Sequence, residues 1–387
     1  MNRRNFLELT ASMPLLALAP TISWAAAPAG ADYQRLLVLI ELKGGNDGLN
    51  TLVPYANSTY YALRPKLAVP RDQVVQLSDR VGLHPALAPL LPFWTRRELA
   101  VLQGVGYPDP NLSHFRSIEI WDTASRSDQY LADGWLARLF AERPVPDSYA
   151  ADGVVVGSND MGPLAGQGGR AIALADPEQF LRQARLANRE GKARNAALAH
   201  ILKVENDIIQ AASHLSANRT FNTEFPRNPF GNAVRTAAQL AANPAGVAVI
   251  CLSLGGFDTH QNQLGVQPRL LGELAEGIAA LKSALVEAGR WDSTLLMTYS
   301  EFGRRPQENN SNGTDHGTAS AHFVAGGKVR GGLYGDQPRL DALEGGNLRY
   351  AVDFRSLFAT ATQRWWSIES SRALGGRFDA LDLIRAA

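Results

Sequence analysis

The stretch Val247-Ala-Val-Ile-Cys-Leu-Ser-Leu-Gly-Gly-Phe-Asp-Thr-His260 decides the architecture. Its first eight residues are apolar almost without a break and rich in β-formers, the pattern of a strand buried on both faces of a parallel sheet. A glycine-opened loop follows, then a helix over 268–288 and a second buried run, Thr294-Leu-Leu-Met-Thr-Tyr299. Strand, helix and strand in that order make a βαβ unit, so the two strands are predicted to be parallel and to deliver their loops to one edge. Those loops are Gly255-Gly-Phe-Asp-Thr-His260 and Ser300-Glu-Phe-Gly-Arg304. Outward from this unit, 35–42 reads as another buried strand running into Lys43-Gly-Gly-Asn-Asp-Gly-Leu-Asn50, at the position where open α/β sheets place ligands. Gly44, Gly45 and Gly48 do not fit the G-x-G-x-x-G dinucleotide fingerprint. A further strand over 99–105 leads through Gly106-Tyr-Pro-Asp-Pro-Asn111 to a helix start at Ser113. Short strands at 153–157 and 171–173, a helix over 177–217 with a break near Gly191, a polar loop over 306–313, a strand around 322–325 and a helix over 353–366 complete the pass. With no internal repeat or Pro-rich linker, one domain over 27–387 is expected.

The first 26 residues are read as a targeting segment and set aside from the fold. Arg3 and Arg4 precede Phe6 and Leu7, Met13–Ala19 is a short apolar run, and Ser23-Trp-Ala-Ala-Ala27 offers small residues for cleavage. This pattern matches a twin-arginine export signal, with a general secretory signal as the alternative, and implies a periplasmic location. The apolar run is far short of the roughly 20 residues a membrane span needs, so no stable membrane anchor is expected. The chain carries a formal net charge of +1. It falls to zero without Arg3, Arg4 and Glu8, and no basic field invites nucleic acid. Cys251, the only cysteine, sits inside an apolar run and reads as core. His200 and His214 have no partner motif and read as structural.

Chemistry-bearing residues gather on the predicted edge. Asp258 and His260 share one loop, and Asp315 and His316 form a second pair; a mixed oxygen and nitrogen donor set suits zinc, manganese or iron. Glu301 ends a buried strand and needs a cation partner, either a metal or Arg304, because an unpaired buried carboxylate costs several kcal/mol. Glu41 holds the matching place on the first strand, with Asp47 in the loop beyond it, and pairing of Glu41 with Lys43 is its simpler alternative. Ser113 is either an ordinary helix cap or, beside a metal and a helix dipole, a nucleophile. Arg116, one turn on, and His114 would then meet an anionic oxygen.

In this order, the glycine loop, the serine at a helix start, the Asp/His loop, the acidic strand end and the late histidine resemble the alkaline phosphatase superfamily. Gly44-Gly-Asn-Asp-Gly-Leu-Asn-Thr51, Asp258-Thr-His260 and Ser300-Glu-Phe-Gly-Arg304 most resemble the twin-arginine-exported, sulfatase-like family called domain of unknown function 1501. The resemblance implies an α/β, alkaline-phosphatase-like fold with a large, mostly parallel sheet sandwiched between helices, and a metal-dependent hydrolase of phosphate or sulfate esters. It implies a first metal site of Asp258, His260 and His316, a second drawing on Glu41 and Glu301, and Ser113 as the attacking hydroxyl. With the residues read above, the expected catalytic set is Ser113, His114 and Arg116, and one or two divalent ions, zinc or manganese, are expected at Glu41, Asp47, Asp258, His260, Glu301, Asp315 and His316. A small-molecule or glycan ester would be the substrate and the twin-arginine machinery a partner. Two departures stand out. Superfamily phosphatases have Asp-His where this chain has Glu301-Phe302, and Ser113-His-Phe-Arg116 lacks the proline of the Cys/Ser-x-Pro-x-Arg formylglycine motif of sulfatases. A non-catalytic periplasmic binding protein with a degenerate metal site is the rival expectation.

Overall fold

Leu36, Val38, Ile40 and Leu42 pack to one side of the strand they form, and Leu37 and Leu39 to the other. An unbroken apolar run is what a strand buried on both faces requires. The computed structural model describes residues 31–385 apart from Gly168 and 176–218. The export segment, the helix expected over 177–217, Gly191, His200 and His214 lie outside the described residues.

The strands are β1 (Leu36–Lys43), β2 (Leu52–Val53), β3 (Val75–Gln76), β4 (Gly82–Leu83), β5 (Leu99–Gly106), β6 (Ala151–Val156) and β7 (Ala171–Leu174). They continue with β8 (Val247–Gly255), β9 (Thr294–Tyr299), β10 (Arg304–Glu308), β11 (Thr314–His316), β12 (Ser320–Ala325), β13 (Gly332–Tyr334) and β14 (Val352–Asp353). Nine of the described strands make one sheet in the order β13-β5-β12-β9-β1-β8-β6-β7, with β14 also on β5. Every pairing in it is parallel except those of β12 with β5 and β9. The fold is therefore mixed α/β around a large, mostly parallel sheet.

Helices cover both faces. The main ones are α1 (His114–Thr123), α2 (Trp135–Glu142), α3 (Pro229–Ala241), α4 (Gln263–Glu287) and α5 (Phe354–Ala359), the last running into a π-helical turn over Thr360–Trp365. Ile120, Trp135 and Phe354 bring α1, α2 and α5 onto the Leu37/Leu39 face, while Val234 and Leu274 bring α3 and α4 onto the other. β8 and β9 are parallel as expected, but β1 inserts between them, so the loops after all three leave one edge side by side.

Two expectations are corrected. α4 begins at Gln263 and holds Pro268 inside, not at its start. A proline in the second turn loses only the bond to Leu264, and Gln263 anchors the early start by donating its backbone N–H to Asn312 O at 3.0 Å. The polar loop expected over 306–313 is largely a hairpin, β10 against β11, which brings Arg304 opposite His316.

Candidate metal centre

The glycine loop after β1 can lie against the loop after β8 only because it lacks side chains. Gly44 sits at φ +115°, and a Cβ there would come within 2.4 Å of Asp258 N. At Gly45, φ +72°, a Cβ would strike the Phe302 ring at 2.4 Å. The contact between loops is closed by Arg304, whose side chain is fully buried. Its guanidinium donates to Gly45 O (2.7 Å), Thr314 O (2.9 Å), Phe257 O (3.2 Å), Gly44 O and Asp258 Oδ1 (2.6 Å). The sequence reading offered Arg304 as a partner for Glu301; it is Asp258 that receives it. One arginine thus ties together the loops after β1, β8 and β9 and the β11 strand.

Three imidazoles converge on Asp258. The Nε2 atoms of His260, His316 and His114 lie 3.1, 3.3 and 3.4 Å from its carboxylate oxygens. Each ring turns its other nitrogen to an oxygen. His114 Nδ1 is 2.8 Å from Glu301 Oε1, His316 Nδ1 is 2.7 Å from Leu112 O, and His260 Nδ1 is 3.5 Å from Asp315 Oδ1. An acceptor at Nδ1 holds the proton there and leaves the Nε2 lone pair facing inward, the arrangement of a metal-ligating histidine. His114 Nε2 is a buried nitrogen with no hydrogen-bond partner, and His260 Nε2 and His316 Nε2 are 2.9 Å apart. Single ligand atoms of His114, Asp258 and His316 all lie within 4.8 Å of one another. Tetrahedral zinc with bonds of about 2.0–2.1 Å spaces its ligands about 3.3 Å apart, a spacing that the 3.1–3.4 Å separations of the three Nε2 atoms from the Asp258 oxygens match.

Electrostatics favour the ligating forms of Asp258 and His316. Burial works against ionisation of Asp258, but the hydrogen bond and charge of Arg304, with help from His316 and His114, hold its carboxyl down at about 2. Burial, reinforced by Arg304 and His114, lowers His316 below the ordinary imidazole value, against the pull of Leu112 O and Asp258. Glu301 is fixed behind His114 by the Gly44 N–H (2.8 Å) and Ser300 Oγ (3.2 Å). Phe302 lies against the rings of His114 and His316, with centroids 4.9 and 4.5 Å away, and floors the site with carbon.

The remaining expected site residues are distributed as follows. Asp315 stands behind His260 and also accepts from Asn309 Nδ2 at 3.1 Å. Glu41 meets Lys43 Nζ at 3.3 Å, and burial pushes its carboxyl up to about 7, with Glu301 and Asp160 adding to the rise and Lys43 opposing it. Asp47 is not brought to the cluster: it is buried under the glycine loop in an ion pair with Arg64 at 2.6 Å, and Gln263 also donates to it. Ser113 is exposed, one residue before His114, and its hydroxyl caps no backbone N–H of α1. Arg116 turns away, donating to the carbonyls of Arg126, Ser127 and Gln129 and lying 3.9 Å over the Tyr130 ring. Sequence reasoning placed His114 near an anionic oxygen and did not find it as a third imidazole on Asp258. The signal was its position one residue inside a helix that starts at the site edge.

A search of curated proteins returns no match. Among solved structures, the chain is similar to a phosphonate monoester hydrolase from Silicibacter pomeroyi, with 12% identity and a TM-score of 0.41 over 89% of this chain and 75% of that one. A protein in the alkaline phosphatase superfamily from Vibrio parahaemolyticus gives 8% identity and a TM-score of 0.41 over 89% and 69%. The lipoteichoic acid synthase LtaP from Listeria monocytogenes gives 9% and 0.35 over 79% and 68%. The sequence profile of a protein family matches residues 80–372, a span that takes in the α1 histidine, the Asp258 loop, Glu301, Arg304 and His316. The chain belongs to that family, described as protein of unknown function (DUF1501).

Proposed function

We propose that the chain is an exported, metal-dependent hydrolase of phosphate or sulfate esters, built as one domain over 27–387 behind an export signal. One observation carries the reading: three imidazoles with their Nδ1 atoms turned to oxygens direct their Nε2 atoms at one carboxylate. Nitrogen and carboxylate donors suit zinc or manganese. His114, Asp258, His260 and His316 would hold the ion, with Glu301, Leu112 O and Asp315 orienting the imidazoles. When bound, such an ion supplies positive charge to an ester oxyanion and lowers the pKa of a nearby hydroxyl or water.

The chain's own groups have separable tasks. Ser113 offers a free hydroxyl at the N-terminus of α1, where the helix dipole favours an anionic oxygen, and is the attacking group in this reading. Glu301 keeps the His114 proton on Nδ1. Phe302 and the buried Arg304 keep water from behind the imidazoles. Arg116 is assigned to anchoring the 126–129 loop. The resemblance to the alkaline phosphatase superfamily supplies the reaction class, a small-molecule or glycan ester the substrate, and the twin-arginine machinery the route to the periplasm. No helix among the described residues is long and apolar enough to cross a membrane.

One observation favours a non-catalytic periplasmic binding protein instead: Arg304 already occupies Asp258 Oδ1 at 2.6 Å. Elemental analysis of protein purified from the exported fraction separates the two. About one transition metal per chain, sharply reduced in His316→Ala, is the expected result; metal-free wild type overturns the hydrolase. Rates on aryl phosphates, phosphodiesters and aryl sulfates then choose the reaction, and a Ser113→Ala rate equal to wild type removes Ser113 as nucleophile.

A further inference from the structure

Behind the histidines lies a second polar cluster, centred on Gln263, the first residue of α4, which is fully buried. Every hydrogen-bonding valence of its amide is used. Oε1 accepts from the hydroxyls of Thr259 (3.1 Å) and Thr314 (2.7 Å), and Nε2 donates to Asp47 Oδ2 and to Gln267 Oε1 (3.1 Å). Asp47 sets which way the amide faces, because a carboxylate only accepts, and both of its oxygens are fixed by Arg64 at 2.6 and 3.0 Å. Direct contacts run from this amide to the ligating groups. The Thr314 carbonyl accepts from Arg304 Nη1 (2.9 Å), and the same guanidinium donates to Asp258 Oδ1 (2.6 Å). Thr314 N–H donates to Thr259 O at 3.1 Å, which holds the strand of His316 against the loop of His260. A Cβ on Gly313 would come within 2.2 Å of His260 C, so the two backbones pass without a gap.

We infer that Gln263 is a positioning residue of the metal centre: its amide fixes the hydroxyls of Thr259 and Thr314, and through them the placement of His260 and His316 on Asp258. The inference rests on the metal-centre reading and adds what sets the geometry of that centre. Such a support is needed because the ligand side chains are weakly held from outside. Those of His260 and Asp258 are 44% and 47% exposed, and the contact of His260 Nδ1 with Asp315 is long, 3.5 Å. A ligand set has to be held to within about 0.5 Å, which half-exposed side chains do not achieve alone. A buried polar network with every member satisfied does, since each of its bonds restricts the others. Asp47, expected among the ligands, thereby acts on the site through Gln263.

The threonines carry the test, because valine keeps their shape and deletes the hydroxyl, whereas serine keeps the hydroxyl. Thr259→Val, Thr314→Val, Thr259→Ser and Thr314→Ser are compared with wild type in three measurements: zinc affinity in a chelator competition, the visible bands of the cobalt-loaded protein, and the melting temperature without metal. The expected result is a loss of zinc affinity of about tenfold in each valine variant, with weaker cobalt bands as the site departs from tetrahedral geometry, and values close to wild type in the serine variants. In a Gln263→Met background, Thr314→Val is expected to cost no further affinity, because the hydroxyl acts through the amide. A role in folding alone would lower the metal-free melting temperature and leave zinc affinity and cobalt bands unchanged. That result overturns the inference, as do serine variants that bind as weakly as the valine ones. The ring-nitrogen NMR signals of His260 and His316 in metal-free protein separate the inference from the metal-centre reading. If wild type binds neither zinc nor cobalt, yet these signals shift in the valine variants and not in the serine ones, the metal centre fails and the positioning role of Gln263 stands. If wild type binds no metal and the signals do not shift, both fail.

Discussion

Changing Glu301 to Gln keeps the shape of the side chain behind His114 and takes away its charge. The amide can still accept from Nδ1, but it no longer raises the basicity of the ring, and its NH2 group can compete for the acceptor position. Loss of such a supporting carboxylate typically weakens metal binding 10- to 100-fold. Glu301→Gln is expected to show that loss in a competition titration against a chelator, with the melting temperature of the metal-free protein nearly unchanged. Metal retention should also survive mild acid. Asp258 stays ionised to about 2 and His316 stays neutral below the ordinary imidazole range, so half-release is expected below the unperturbed histidine value of about 6.5. Half-release above that pH in dialysed samples would contradict the assignment. Glu41 gives the opposite sign. Its folded pKa of about 7 lies above the unfolded carboxylate value, so the folded state holds the extra proton between those two values and stability falls as pH rises through the window. Glu41→Gln should therefore stabilise at pH 8, by on the order of 2–3 kcal/mol, and have little effect near pH 4.5. Thermal melts at the two pH values check this; lower metal content in Glu41→Gln would instead place Glu41 among the ligands.

At the scale of elements, the site depends on a junction of loops that only part of the sequence announces. The continuous apolar runs of β1, β5, β8 and β9 were legible because a strand buried on both faces has no alternation to obscure it. β10 and β11 were not, because Arg-Arg-Pro-Gln-Glu and Thr-Asp-His carry no apolar pattern and are held by Arg304 and Thr314 instead. Asp258, His260 and His316 could be grouped from the loops that hold them. The place of His114 could not, since it depends on how α1 approaches Glu301, and Asp47 was misleading because its buried partner Arg64 comes from a separate short helix end. Arg304→Met tests the junction. It strands the buried carbonyls of Gly45, Thr314 and Phe257 and leaves the half-exposed Asp258 without its cation, and each buried polar group left unsatisfied commonly costs about 1–3 kcal/mol. The expected outcome is a large drop in melting temperature together with loss of metal; a stable, metal-replete Arg304→Met protein would show that the loops are fixed by other contacts.

Across the whole molecule, β12 is the lone strand of the main sheet that opposes its neighbours, and among the described strands it is also the only bridge between β5 and the rest of that sheet. Every described partner of β5, namely β12, β13 and β14, is encoded at or beyond Ser320, and both neighbours of β1 begin at or beyond Val247. The first two long strands to leave the ribosome therefore have no sheet to join until most of the chain has been made. Pairings this distant in sequence close large loops before they are rewarded, which slows folding. A nascent chain released before Ser320 would carry β5 with both edges open, a template for aggregation, so the order of the strands makes completion of synthesis the checkpoint for assembly.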